Sequence, residues 1–360
     1  MVTLLGLFSA AMSAIALAIM ISFDRIMIGD VYRNRPDIAW FVSSTLGALF
    51  GLIATMLVIG AAFTVDFVSP TLFMDSISDS FSGDGPLMLV SGAINIQVMK
   101  YYFRLFIPES GEQTNETSIA LWLSSAPIFV FIAILFIQNL NLESFDASGI
   151  GKANTSLIFG LLIFFCIASF ALFEIYDVGV DERSQHRYRE IALMLLCIVG
   201  YTLIISNTLR ADNGSVERGL VLQIWYWIGF AAGARAYLNR SFRNEIRRST
   251  RRLKKFAGAI VLIEVLGMLV YLFEYGALAV IDPTLTNLVI GGHVLLVFLI
   301  SLLLSKLRTS LQNNEVRRFW LGGFRISANK LPLPSISVGK VIRLLASQVL
   351  LAFVIIYAYM

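Results

Sequence analysis

Four polar side chains interrupt one apolar stretch, residues 87–107: Asn95, Gln97, Lys100 and Arg104. Gln97, Lys100, Tyr101 and Arg104 fall at i, i+3, i+4 and i+7, so a helix places them on one face. Such groups are expensive in hydrocarbon, about 2.5–3.5 kcal/mol for Lys or Arg at a helix centre, and the face is expected to look into a bundle or a watery cavity. Glu264 is the acidic counterpart, set inside the apolar run 256–276. At a rise of about 1.5 Å per residue, Lys100 and Glu264 both lie on the order of 10–12 Å in from the same membrane side. Matching depth permits an ion pair or a shared hydrogen-bond network. It reads either as a static buried salt bridge that sets helix register, or as a site where a substrate or proton competes for one partner. A carboxylate withdrawn from water is a candidate proton carrier, and Glu264 is assigned that role, with Lys100 opposing it.

Other side chains join this list on weaker grounds. Asn95 and Gln97 fall near the middle of their run and either hold a solute or bond to neighbouring helices. Tyr271 is a cavity candidate, whereas Glu274 and Tyr275 near the end of the same run are expected at the interface. Trp122, Trp225, Tyr226 and Trp227 serve as cavity walls or, more commonly, as interfacial anchors. His293 follows Gly291-Gly292, where glycines allow close helix approach or a local break, and it reads as a packed or a working histidine. Asp24 and Arg25 close the first apolar run as an end anchor or a gate. There is no His/Cys/carboxylate group at metal spacing, no Gly-rich phosphate loop and no nucleophile elbow, so neither an enzyme nor a metal or cofactor is expected. Cys166 and Cys197 each sit inside an apolar run, as packing residues do.

The elements that must position these residues follow from composition. The chain has 360 residues, 57% of them hydrophobic and 14% charged, against about 25% charged in a soluble protein. The apolar residues come in blocks of about 20, the length of a membrane-crossing helix, and continuous blocks exclude a β-barrel. The reading is an all-α polytopic membrane protein with ten spans, roughly 3–22, 38–62, 86–107, 117–138, 154–173, 190–209, 219–238, 256–276, 284–305 and 339–359. Residues 2–22 read as a retained first helix rather than a signal peptide. Breaks fall at Asn34-Arg35-Pro36, Gly83-Asp84-Gly85-Pro86, Asp212-Asn213-Gly214 and Asp282-Pro283.

Loop charge is lopsided. The seventh connector, 239–255, holds Arg240, Arg243, Arg247, Arg248, Arg251, Arg252, Lys254 and Lys255, whereas the second holds Asp66, Asp75, Asp79 and Asp84 and no basic residue. The odd-numbered connectors, 239–255 and 306–338 among them, are therefore expected in the cytoplasm, with both termini outside. In the ninth, Phe319, Trp320 and Phe324 stand among Arg317, Arg318, Arg325 and Lys330, a mix that suits either a membrane-surface segment or a solvated loop. Basic residues confined to such loops do not indicate nucleic-acid binding. The two halves, 1–175 and 176–360, look alike: an aromatic-rich helix ends, a polar break follows, and a notch (Ser124-Ser125-Ala126-Pro127, then Gly291-Gly292-His293) leads into a smooth apolar run. Five spans per half would invert the second copy, as in secondary transporters with a site at the repeat interface.

The chain at this point resembles the EamA-like branch of the drug/metabolite transporter superfamily. The resemblance is carried by Ser22-Phe23-Asp24-Arg25 at the end of the first helix and by Gly92–Phe106 followed by Ala126-Pro127-Ile128-Phe129-Val130. Glu264 within Leu262–Leu269, then Ala277-Leu278-Ala279-Val280, and a last helix Val341–Met360 after Lys340 complete it. It implies two inverted five-helix repeats, a central cavity and passage of small molecules across the membrane. It also implies cytoplasmic termini, opposite to the loop-charge reading. His293, where Pro127 would have its counterpart, and the long ninth connector depart from the pattern. The expected function is a permease or exporter of small organic metabolites or lipophilic solutes. A non-transporting membrane scaffold or subunit and a lipid or lipid-linked-sugar flippase stand as alternatives. Expected partners are that small-molecule or lipid substrate, membrane lipids, and a second copy or a partner membrane protein. The expected location is the cytoplasmic membrane of a bacterium.

Overall fold

The computed structural model describes residues 2–64, 68–81, 83–106, 184–210, 215–281, 283–313, 318–321 and 324–327, with scattered positions within 119–133 and 346–349. The expected spans 154–173 and, almost entirely, 117–138 and 339–359 lie outside the described residues, as does Cys166. The described chain is essentially helical. In order it runs α1 (Val2–Ile26), α2 (Pro36–Val42), α3 (Ala48–Thr64), α4 (Pro70–Ser80), α5 (Asp84–Leu105), α6 (Ser184–Arg210), α7 (Val216–Phe230), α8 (Arg240–Lys255), α9 (Ala257–Leu278), α10 (Pro283–Gly291) and α11 (His293–Asn313). A short antiparallel hairpin, β1 (Arg318–Leu321) with β2 (Phe324–Ser327), pairs Arg318 with Ser327 within the connector read as a membrane-surface segment or a solvated loop.

Among the described residues, five segments are long and apolar enough to cross a membrane: Leu4–Asp24, Pro36–Thr64, Tyr188–Leu209, Ala257–Leu278 and Leu285–Gln312. Local signals set the boundaries. Proline opens α2, α4 and α10, where its missing N–H costs nothing. Ser215 caps α7 by accepting from Arg218 N at 3.2 Å, and Asn239 caps α8 by accepting from Ser241 N at 2.9 Å. The Gly291-Gly292 step breaks the ninth expected span into α10 and α11, with Gly292 N turned onto Leu288 O and Val289 O. A wide π turn at Met27–Val31 carries the chain on from the end of α1, and another at Ser43–Gly47 interrupts the second span.

Packing direction is read from side-chain contacts. α1 and α9 run antiparallel: Gly6 meets Val280 and Ile281, Ser9 Oγ donates to Phe273 O at 2.7 Å, and Ser13 Oγ donates to Val270 O at 3.0 Å. α5 and α6 also run antiparallel, with Ser91 Oγ on Tyr201 O at 3.2 Å and Arg104 on Glu190 at 3.1 Å. α7 lies along α5 in the same direction and very close. A Cβ on Gly92 would collide with Tyr226 O, and one on Gly229 with Leu89 O, the close approach that small residues permit between membrane helices.

One end of the bundle is basic. There α8 exposes its arginines and packs Phe242, Ile246 and Leu253 inward, its Glu245 paired with Arg35 of the α1–α2 turn. The opposite end carries Asp75 and Asp79 on α4 and the Arg218–Asp84 pair.

Candidate functional site

Two neighbouring cavities lie inside the bundle. The larger, about 70 Å³, is walled by α1, α5, α6, α9 and the α10–α11 break. Asn95 stands about 16 Å from either end of α5 at 1.5 Å per residue, so this cavity is near mid-depth. The smaller, about 10 Å³, sits towards the basic end between α1, the second π turn and α9. Met20, Met99 and Tyr271 line both and separate them.

Asn95, Val98, Met99 and Tyr102 form the α5 wall of the larger cavity. They too have i, i+3, i+4, i+7 spacing, shifted two residues from the face singled out in the sequence. Two residues are about 200° of helix rotation, so Gln97, Lys100, Tyr101 and Arg104 point away from both cavities and are half-buried. The ammonium of Lys100 lies 5.2 Å over the Trp40 ring, and Arg104 reaches Glu190 at 3.1 Å and Asp37 at 3.9 Å. Lys100 and Glu264 are not joined as the depth argument allowed. Equal depth along two helices does not fix their rotation, and here the two groups belong to different sides of α5.

Glu264 is buried and accepts from Ser43 Oγ at 2.7 Å. The π turn widens the backbone at Ser43–Gly47 and brings Ser43 and Gly47 onto α9, while Ser44 Oγ bonds Phe230 O at 2.9 Å. π turns are frequent at functional sites. Asp24 also lines the smaller cavity, accepting from Tyr102 Oη at 2.6 Å. Asp24 is buried against α5, and the Arg25 side chain, its expected local partner, lies outside the described residues.

Glu274 departs most from expectation. It is 6% exposed rather than interfacial, accepts from Tyr201 Oη at 2.7 Å and faces the larger cavity. α6 covers this part of α9, which sequence position alone did not reveal. Asn95 donates to Tyr226 Oη, and its Oδ1 is buried without a partner among the described residues. Tyr226, Trp227, Phe230 and Tyr271 stack into one aromatic group, the Phe230 and Tyr271 centroids 5.3 Å apart. So Tyr226 and Trp227 are inside the bundle, while Trp225, half-buried, bonds Ser80 Oγ at 3.0 Å. His293 closes the cavity from the α10–α11 break, its Nδ1 on Ile290 O at 2.7 Å. Asn287 bonds Pro283 O at 2.8 Å.

Sequence reasoning thus reached Asn95, Glu264, Tyr271, His293 and Asp24, all on a cavity wall, and passed over Tyr102, Tyr201 and Asn287. The available signal was spacing: Tyr102 lies seven residues after Asn95, on its face.

A third hollow, about 650 Å³, lies between α6 and the 122–133 stretch, lined by apolar and aromatic residues including Trp122, Phe129, Tyr188 and Leu195. No metal-competent group of His, Cys, Asp and Glu occurs among the described residues. No protein-family model matches the chain, and no curated protein matches it.

Proposed function

We propose that the chain is a secondary transporter of small organic solutes, built of ten spans in two inverted repeats (1–175 and 176–360) that rock about the mid-depth cavity. The carrying observation is that cavity, held between two antiparallel helix pairs, α1 with α9 and α5 with α6. Exchanging the first expected span with the sixth, and the third with the eighth, converts one pair into the other. That is the relation an inverted repeat imposes, with the site at the repeat interface. α5 and α6 run antiparallel, as the third and sixth of ten alternating spans would. The EamA-like resemblance supports the same reading. The basic end, with α8, faces the cytoplasm under the positive-inside rule.

Thiol labelling tests the proposal. In a Cys166→Ser, Cys197→Ser background, Ile198→Cys reports on the larger cavity and Met20→Cys on its boundary. A membrane-impermeant maleimide applied to right-side-out and inside-out vesicles should label Ile198→Cys from at least one side. Absence of label from both sides, in protein that remains monodisperse, overturns transport and leaves a scaffold. Label only by a lipid-soluble maleimide would indicate a cavity open to the bilayer, as a flippase needs.

A further inference from the structure

We infer that the larger cavity binds a compact organic ammonium ion, with the Glu274 carboxylate as its counter-ion and Asn95 Oδ1 as its hydrogen-bond acceptor. The inference rests on the reading of that cavity as the solute site and names the class of solute.

Charge is the first argument. Glu274 is almost fully buried, and among the described residues no lysine or arginine lines either cavity. A carboxylate there is costly unless a proton or an outside cation neutralises it. Asp24 and Glu264 beyond Tyr271 have the same sign, so the whole interior disfavours an anion.

The hydrogen-bond inventory is the second, independent argument. Most donors around the cavity are already engaged: Tyr201 Oη on Glu274, Tyr102 Oη on Asp24, the Asn287 amide on Pro283 O, His293 Nδ1 on Ile290 O and the Asn95 amide on Tyr226, which leaves the Tyr271 hydroxyl to donate. Two acceptors are left over, Asn95 Oδ1 and, with Nδ1 donating, His293 Nε2, both buried and unpartnered among the described residues. With the Glu274 carboxylate, Asn95 Oδ1 and His293 Nε2 against one free hydroxyl, acceptors outnumber donors; such a cavity calls for a ligand that donates, and an ammonium group is donor only.

Shape and surface narrow the class. The walls between the polar groups are apolar (Met20, Val98, Ile198, Val270), and Tyr201 and Tyr271 present aromatic rings, which attract cations. At roughly 10–15 Å³ per water on the same measure, about 70 Å³ holds about five to seven heavy atoms. The fit is a short alkylammonium rather than a bulky drug.

Three probes of one length decide it: n-butylammonium, n-butanol and butyrate, titrated calorimetrically into the full chain in nanodiscs. Butylammonium should bind, and neither the alcohol nor the acid should compete. Glu274→Gln should weaken it about tenfold or more, since a desolvated charge pair is lost. If Glu274→Gln fails to fold, Asn95→Leu carries the test with an expected loss of a few fold. Equal binding of butanol, preference for butyrate, or no binding of butylammonium at millimolar concentration overturns the inference. Counterflow in proteoliposomes separates the two readings. Exchange of butanol or butyrate without butylammonium keeps transport and rejects the cation. Binding of butylammonium without exchange keeps the site and rejects transport.

Discussion

Asp24 and Tyr102 stand 78 positions apart and meet at 2.6 Å inside the bundle. A buried carboxylate that loses its donor retains the full cost of desolvation, so Tyr102→Phe should destabilise the protein by about 1–3 kcal/mol. With Asp24→Asn already in place the same change should cost less, and the two effects should fall short of additive. Thermal unfolding of the single and double variants in detergent measures this; strict additivity would mean the bond carries no energy. Lys100 and Glu264 give the opposite expectation. Each has its own partner, Trp40 for one and Ser43 for the other, so Lys100→Met and Glu264→Gln should add within about 0.3–0.5 kcal/mol. A larger coupling would restore the ion pair that the sequence suggested.

Helix α5 organises the elements around it. One side lies against α7 at glycine distance, another against α6, and a third forms the cavity wall. Gly92 has no room for a side chain, since a Cβ would meet the Tyr226 carbonyl. Gly92→Val should therefore force α5 and α7 apart, at about 1–3 kcal/mol or more for overpacking, and shift the protein towards aggregates on gel filtration. Gly258→Ala, which meets nothing within 4 Å, is the matched control and should behave as wild type. Equal behaviour of the two variants would mean that α5 and α7 are not in close contact. The ion pair of Glu245 with Arg35 fastens α8 to the α1–α2 turn, yet Arg35 is 60% exposed. Exposed pairs contribute about 0–1 kcal/mol, so Arg35→Ala should cost little, and α8 is held mainly by Phe242, Ile246 and Leu253.

Among the described residues, the arginine-rich α8 stands at one end of the bundle, and Asp75, Asp79 and the Arg218–Asp84 pair stand at the other. If the basic end faces the cytoplasm, Arg247→Cys should react with an impermeant thiol reagent only after cells are opened. Reaction in intact cells would place α8 outside and favour the orientation implied by the family resemblance. The two outcomes differ in which way the Glu274 cavity must open to release its solute, and so in whether the protein exports or imports it.

Membrane character, five membrane-crossing segments among the described residues and the contrast in charge between α8 and α4 were legible in the sequence, because hydropathy and loop charge are properties of contiguous residues. The five apolar spans, and the glycine break before His293, follow from local composition in the same way. The helical spacing on α5 was legible too, but not which of two equally spaced faces turns inward. Rotation about a helix axis is settled by neighbours distant in sequence: Trp40 draws Lys100 aside, Glu190 draws Arg104, and Asn95 and Tyr102 are left facing α1 and α9. Glu274 shows the same limit. Its place near a span end suggested the interface, and only the covering by α6, through Tyr201, made it a buried charge. Tertiary structure alone decided the site, because a cavity is bounded by several helices at once and no single stretch of chain records what the others bring to it.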